Sequence, residues 1–172
     1  TDSQADEGGA VYLGGGILNI NGGTISDNSA VNGGGIYLNH GTMTVSNGSI
    51  QSNAATNNGG GAFVDGGNII ITGGKVSSNT ATNNGGGIAL NNGNYTMIGG
   101  SVIGNTAQNG SGGGIYVTTD TTNVNVNIYS GSISNNQAST SGGAMSVIGP
   151  SEGDLELNAQ FGVNERHFDS AG

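Results

Sequence analysis

The chain has 172 residues, 37 of them glycine, with one proline, no cysteine and a formal net charge of −9. That composition excludes collagen, a proline-rich stalk, and stabilisation by disulfides or a zinc–thiolate site. Eleven acids against only Lys75 and Arg166 oppose nucleic-acid binding and attachment to anionic membranes, and charged residues at 8% are too few for typical disorder.

Reading along the chain, a triplet of small residues recurs. It ends at Ala10, Gly35, Gly61, Gly87, Gly114 and Ala144, with spacings of 25, 26, 26, 27 and 30 residues. A fixed period of this size predicts a stacked architecture, in which each unit buries its apolar face only against its neighbours. Coils begin near residues 8, 33, 59, 85, 112 and 142 within a single domain spanning 1–172, and 165–172 form a terminal edge. The triplets are not phosphate-binding loops, because such a loop occurs once in a domain and is followed by a helix and a lysine.

After each triplet comes a pair of apolar residues two apart: Val11/Leu13, Ile36/Leu38, Ala62/Val64, Ile88/Leu90, Ile115/Val117 and Met145/Val147. A second pair follows at Leu18/Ile20, Met43/Val45, Ile69/Ile71, Tyr95/Met97, Val126/Ile128 and Leu155/Leu157. A third column holds Ile25, Ile50, Val76, Val102, Ile133 and Phe161. A spacing of two places both residues of a pair on one side of a strand, and no 3.6-residue period is sustained. Three short strands per coil, about six coils of roughly 26 residues and an apolar interior predict an all-β, three-faced parallel β-solenoid. The period is too long for the left-handed hexapeptide type, so the expected form is the right-handed parallel β-helix, a rod roughly 30 Å long.

Three residues after the third column stands Asn28, Asn53, Asn79, Asn105, Asn136 and Asn164. Stacked at strand spacing, their amides are expected to hydrogen-bond along the axis as a structural ladder. Two residues further on lie Ala30, Ala55, Ala81, Ala107 and Ala138, where close stacking admits only a small side chain. Arg166 breaks that rule in the last unit.

These repeats resemble those of the polymorphic outer membrane proteins and related bacterial adhesins, whose hallmark pairs Gly-Gly-Ala-aliphatic with Phe-x-x-Asn. "GGAV" at 8–11, "GGAM" at 142–145 and "FGVN" at 161–164 carry the resemblance, which extends over about residues 8–164. It implies secretion to the bacterial cell surface and a role in cell adhesion.

The residue between the two inward positions of the first strand should point outward. Down the stack it reads Tyr12, Tyr37, Phe63, Ala89, Tyr116, Ser146, an aromatic column able to stack on sugars or bury against a protein, with a gap at Ala89. A second candidate is the corner between the first two strands, which lengthens to "TTDTTN" (118–123) and "IGPSEGD" (148–154) and gathers Asp120, Glu152 and Asp154. Its spacing matches no established calcium loop. Glu165, His167 and Asp169 fall on one side of an extended terminus, where a charged edge is a simpler reading than a metal site. His40 reads as a turn residue.

Between residues 8 and 150 the acids are Asp27, Asp65 and Asp120, in different units and columns, so the clustered carboxylates of polysaccharide hydrolysis are not expected. The resulting expectation is a non-enzymatic cell-surface adhesin segment. It needs no cofactor or metal, binds a protein or glycan ligand on another cell surface, does not itself insert in a membrane, and is capable of end-to-end self-association. The alternative expectation is a carbohydrate-binding or polysaccharide-processing β-helix.

Overall fold

The computed structural model describes residues 4–120, 125–149, 155–157 and 160–161. Among them there is no helix, and the strands form three parallel sheets wound as a β-solenoid of about five turns from first rung to last. Among the described residues every apolar column predicted from spacing is a register. Val11 pairs with Ile36, Ile36 with Ala62, Ala62 with Ile88, Ile88 with Ile115 and Ile115 with Met145.

The front sheet is the widest. Its second and third rungs are unbroken ten-residue strands, Ile36–Val45 and Ala62–Ile71, while the first and fourth are split into Val11–Leu13 with Ile17–Ile20 and Ile88–Asn91 with Asn94–Met97. Ile115–Thr118 with Val126–Ile128, and Met145–Ile148 with Leu155–Leu157, complete it. The second sheet stacks six strands from Thr24–Ser26 to Gln160–Phe161. The third runs from Gln4–Glu7 to Gln137–Ala138 through the two-residue strands Ala54–Ala55, Thr80–Ala81 and Thr106–Ala107.

Two of the three strand assignments therefore shift. The first and second apolar pairs share one sheet, and the alanine column builds the third face. The reason is a bulge in the chain path that successive rungs share, so their one-to-one pairing is kept. Leu38 and Met43 are an odd number of residues apart, so strict alternation would turn one pair outward. His40 (φ 61°) absorbs the mismatch in a left-handed conformation, as do Gly66 (φ 68°) and Asn92 (φ 52°) at the same place in the next two coils. Both pairs consequently face the core, where Ile36, Leu38, Met43 and Val45 are completely buried.

Between the second and third sheets the chain bends at another left-handed column, Asp27, Ser52, Ser78, Gly104 and Asn135, with φ from 54° to 66°. The ladder asparagines follow directly. Asn53 Nδ2 donates to Asn79 Oδ1 at 3.0 Å, Asn79 to Asn105 at 3.0 Å and Asn105 to Asn136 at 2.9 Å. Each carbonyl also accepts the preceding ladder residue's backbone N–H, as Asn79 Oδ1 does from Asn53 at 3.0 Å. The ladder starts at Asn28, whose buried Oδ1 accepts nothing among the described residues. Asn164 lies outside the described residues.

The glycine triplets pack behind this ladder. A Cβ on Gly87 would stand 2.6 Å from the Gly114 carbonyl oxygen and 3.0 Å from Asn105 Cγ, so the next coil leaves no space for a side chain.

Candidate functional site: an interrupted aromatic column

Because the inward residues of the front sheet are fixed by the core, those between them must point to solvent, and the aromatic column lies where alternation puts it. Tyr12 and Tyr37 stack with centroids 5.6 Å apart and planes 12° from parallel; Tyr37 and Phe63 stack at 5.3 Å and 24°. Tyr12 is 53% exposed, whereas Tyr37, between two rings, is only 7% exposed. Burial, followed by the nearby Glu7 and Asp65 carboxylates and Tyr12, pushes the Tyr37 phenol up to about 12. Phe63 and Tyr116 are half-buried.

The column is broken at Ala89, which is 1% exposed at the floor of a depression of about 290 Å³. Phe63 and Tyr116 stand above and below it. Asn58 and Asn84 line one flank, Asn91 and Thr118 the other.

These flanks belong to two polar columns that the sequence reading did not single out. One comprises Glu7, Asn32, Asn58, Asn84 and Ser111. Its members are tied by backbone-to-side-chain bonds from Asn58 N to Asn32 Oδ1 (3.3 Å), Asn84 N to Asn58 Oδ1 (3.0 Å) and Ser111 N to Asn84 Oδ1 (2.9 Å). The signal was present, since an asparagine or serine precedes the glycine triplet in four consecutive coils at 32, 58, 84 and 111. The other column is Asn39, Asp65, Asn91 and Thr118, in which Asn91 Nδ2 donates to Asp65 Oδ1 at 2.8 Å. The front face thus presents rings between two rows of amides, with Asp65 standing in one of those rows.

The lengthened segment has a different position from the one expected. It springs from the bulge within the front sheet rather than from a corner between faces. Asp120 is exposed there, and its backbone N–H donates to Asn92 Oδ1 at 3.0 Å. Glu152 and Asp154 lie outside the described residues, as do Glu165, His167 and Asp169. Among the described residues no group of three or more His, Cys, Asp or Glu is placed to hold a metal. His40 serves at the bulge, with Nδ1 2.6 Å from Asn39 Oδ1. Among the described residues no helix is long and apolar enough to cross a membrane.

Comparison of the chain with protein-family models, with characterised proteins and with solved structures finds no match.

Proposed function

We propose that this chain is a non-enzymatic segment of a secreted or cell-surface bacterial adhesin, a rigid rod presenting its front face to a protein or glycan on another cell. The observation carrying the reading is the interrupted aromatic column between two amide rows. Rings supply large contact area at little cost in side-chain freedom, and amides supply direction, a combination suited to recognition. Successive rungs are bonded through backbone and ladder, so the face is preorganised and loses little entropy on binding. The resemblance of the repeats to those of bacterial surface adhesins supports display outside the cell.

Carbohydrate binding is the second reading, favoured by the amide rows beside the rings. Polysaccharide processing is the weaker part of that alternative. Hydrolysis needs two carboxyl groups held ~5–10 Å apart across one bond. Asp65 is engaged by Asn91, while Asp27 sits at the bend between the second and third sheets and Asp120 on the bulge segment.

The test probes a glycan array and a panel of cultured cells with labelled chain and with Tyr37→Ala and Phe63→Ala variants. Specific binding lost in both folded variants supports the proposal. Binding that neither substitution affects overturns the assignment to this face. Depolymerisation of any polysaccharide by the purified chain overturns the non-enzymatic reading.

A further inference from the structure

We propose that the depression lined by Phe63, Ala89 and Tyr116 is a subsite for one neutral pyranose ring of a glycan, packed against the two aromatic side chains. This deepens the front-face reading above and rests on it.

The geometry begins with the sheet. Rungs are separated by ~4.8 Å, and where three consecutive coils carry rings, those rings stack at 5.6 and 5.3 Å. Replacing the fourth ring by a methyl group leaves Phe63 and Tyr116 two rungs apart, with the small side chain of Ala89 at the rung between them. The volume of about 290 Å³ lies at the small end of ligand sites, suiting one ring rather than an extended ligand.

The flanks choose the chemistry. A purely aromatic occupant would match Phe63 and Tyr116 but would cover the amides of Asn84 and Asn91 and the Thr118 hydroxyl without bonding them, which is costly. Asn84 uses one Nδ2 hydrogen on Asn58 Oδ1 at 3.2 Å and has a second to donate; Asn91 commits Nδ2 to Asp65 and leaves Oδ1 to accept. A pyranose ring meets both demands. Its axial C–H faces pack on the aromatic rings, and its equatorial hydroxyls project sideways to the amides on either flank. Charge narrows the class further. Asp65 lies beside Asn91 and no cation lines the depression, so a uronic or sialic acid would meet repulsion without a counter-charge.

Saturation-transfer difference NMR tests this with the methyl glycosides of glucose, galactose, mannose and N-acetylglucosamine, with methyl glucuronide, and with N-acetyltyrosine amide as an aromatic competitor. The expected result is transfer to the ring C–H protons of at least one neutral glycoside, with weaker transfer to the glucuronide. Ala89→Phe completes the column using a side chain that the preceding rung already accommodates, and should lower affinity at least about tenfold, a loss of ~1.4 kcal/mol. Tyr116→Ala removes one wall, leaves the stacked trio intact and should weaken binding similarly, so the test does not depend on one variant folding.

Neutral-glycoside binding that survives both substitutions but disappears in Tyr37→Ala overturns the subsite and leaves the front-face proposal standing. Binding unaffected by any of the three overturns both. Transfer to N-acetyltyrosine amide alone assigns the depression to a protein side chain and overturns the sugar. Transfer to none of the probes also overturns the subsite.

Discussion

Asn79, at the middle of the buried ladder, offers the sharpest test of what holds the rungs together. It is completely buried. Its Nδ2 donates to Asn105 Oδ1 at 3.0 Å and to the Ile50 carbonyl at 2.9 Å, and its Oδ1 accepts from Asn53 Nδ2 and Asn53 N, both at 3.0 Å. Asn79→Ala removes the two donations and leaves the buried Asn53 backbone N–H without an acceptor. Asn53 Nδ2 suffers less, since it also bonds the Ile25 and Gln51 carbonyls. One orphaned buried donor costs ~1–3 kcal/mol and each lost hydrogen bond ~0.5–1.5, giving an expected destabilisation of about 4 kcal/mol. The control is Asn83→Ala, which breaks an exposed amide pair of the same chemistry, Asn83 Nδ2 to Asn57 Oδ1 at 2.7 Å. Water replaces that bond, so the expected change is within ~0.5 kcal/mol. Urea unfolding followed by far-ultraviolet circular dichroism measures both, with matched m-values required before midpoints are converted to free energies. Asn79→Asp adds a directional check. Its carboxylate would keep the acceptor but face Asn105 Oδ1 and the Ile50 carbonyl, so this variant should gain stability from pH 7 to 4 as the carboxyl protonates. Equal costs for Asn79→Ala and Asn83→Ala would refute the argument that burial gives the ladder its value.

Tyr95 is fully buried and among the described residues its hydroxyl reaches only Met97 Sδ at 3.6 Å, so Tyr95→Phe should be neutral or stabilising by up to ~1 kcal/mol; a clear loss in thermal unfolding would reveal a stronger partner. In alkaline titration monitored by NMR of the ring carbons, Tyr37 and Tyr95 should remain largely protonated at pH 11. Burial raises both, Tyr37 to about 12. The neutral Tyr37 phenol's contribution to stability is intact below pH 10 and is lost as pH rises toward about 12, and ionisation of Tyr37 near pH 10 would contradict its placement between the rings. Gly87→Ala should destabilise by about 2 kcal/mol or more, because the new Cβ would meet the Gly114 carbonyl oxygen and the Asn105 amide; an unfolding midpoint within error of the parent would show that the coils yield.

Much of this fold is legible in the sequence because a solenoid repeats each constraint. Five described asparagines at one position, each with a buried amide, leave little room for another arrangement, and apolar pairs two residues apart give the inward registers. What alternation does not reveal is where one face ends. The His40–Gly41 bulge reverses parity without turning the chain, so two apolar pairs that look like separate faces belong to one sheet. The third face is hidden because strands such as Thr80–Ala81 are two residues long, too short for periodicity to register. At the candidate site the rings are readable as outward residues, but their flanks are not. Asn58 and Asn84 look like turn residues before glycines, and only stacking places them beside Phe63 and Ala89.

One face of a fixed rod is proposed above to carry recognition. Its most direct test compares ligand binding by two folded variants on the same glycan and cell panel. Phe63→Ala alters the front face, and Ile98→Ser alters an exposed apolar position just beyond the Asn94–Met97 strand. Binding should fall at least about tenfold for Phe63→Ala and remain at the parent level for Ile98→Ser. Binding retained by Phe63→Ala, or lost equally in both, would contradict it.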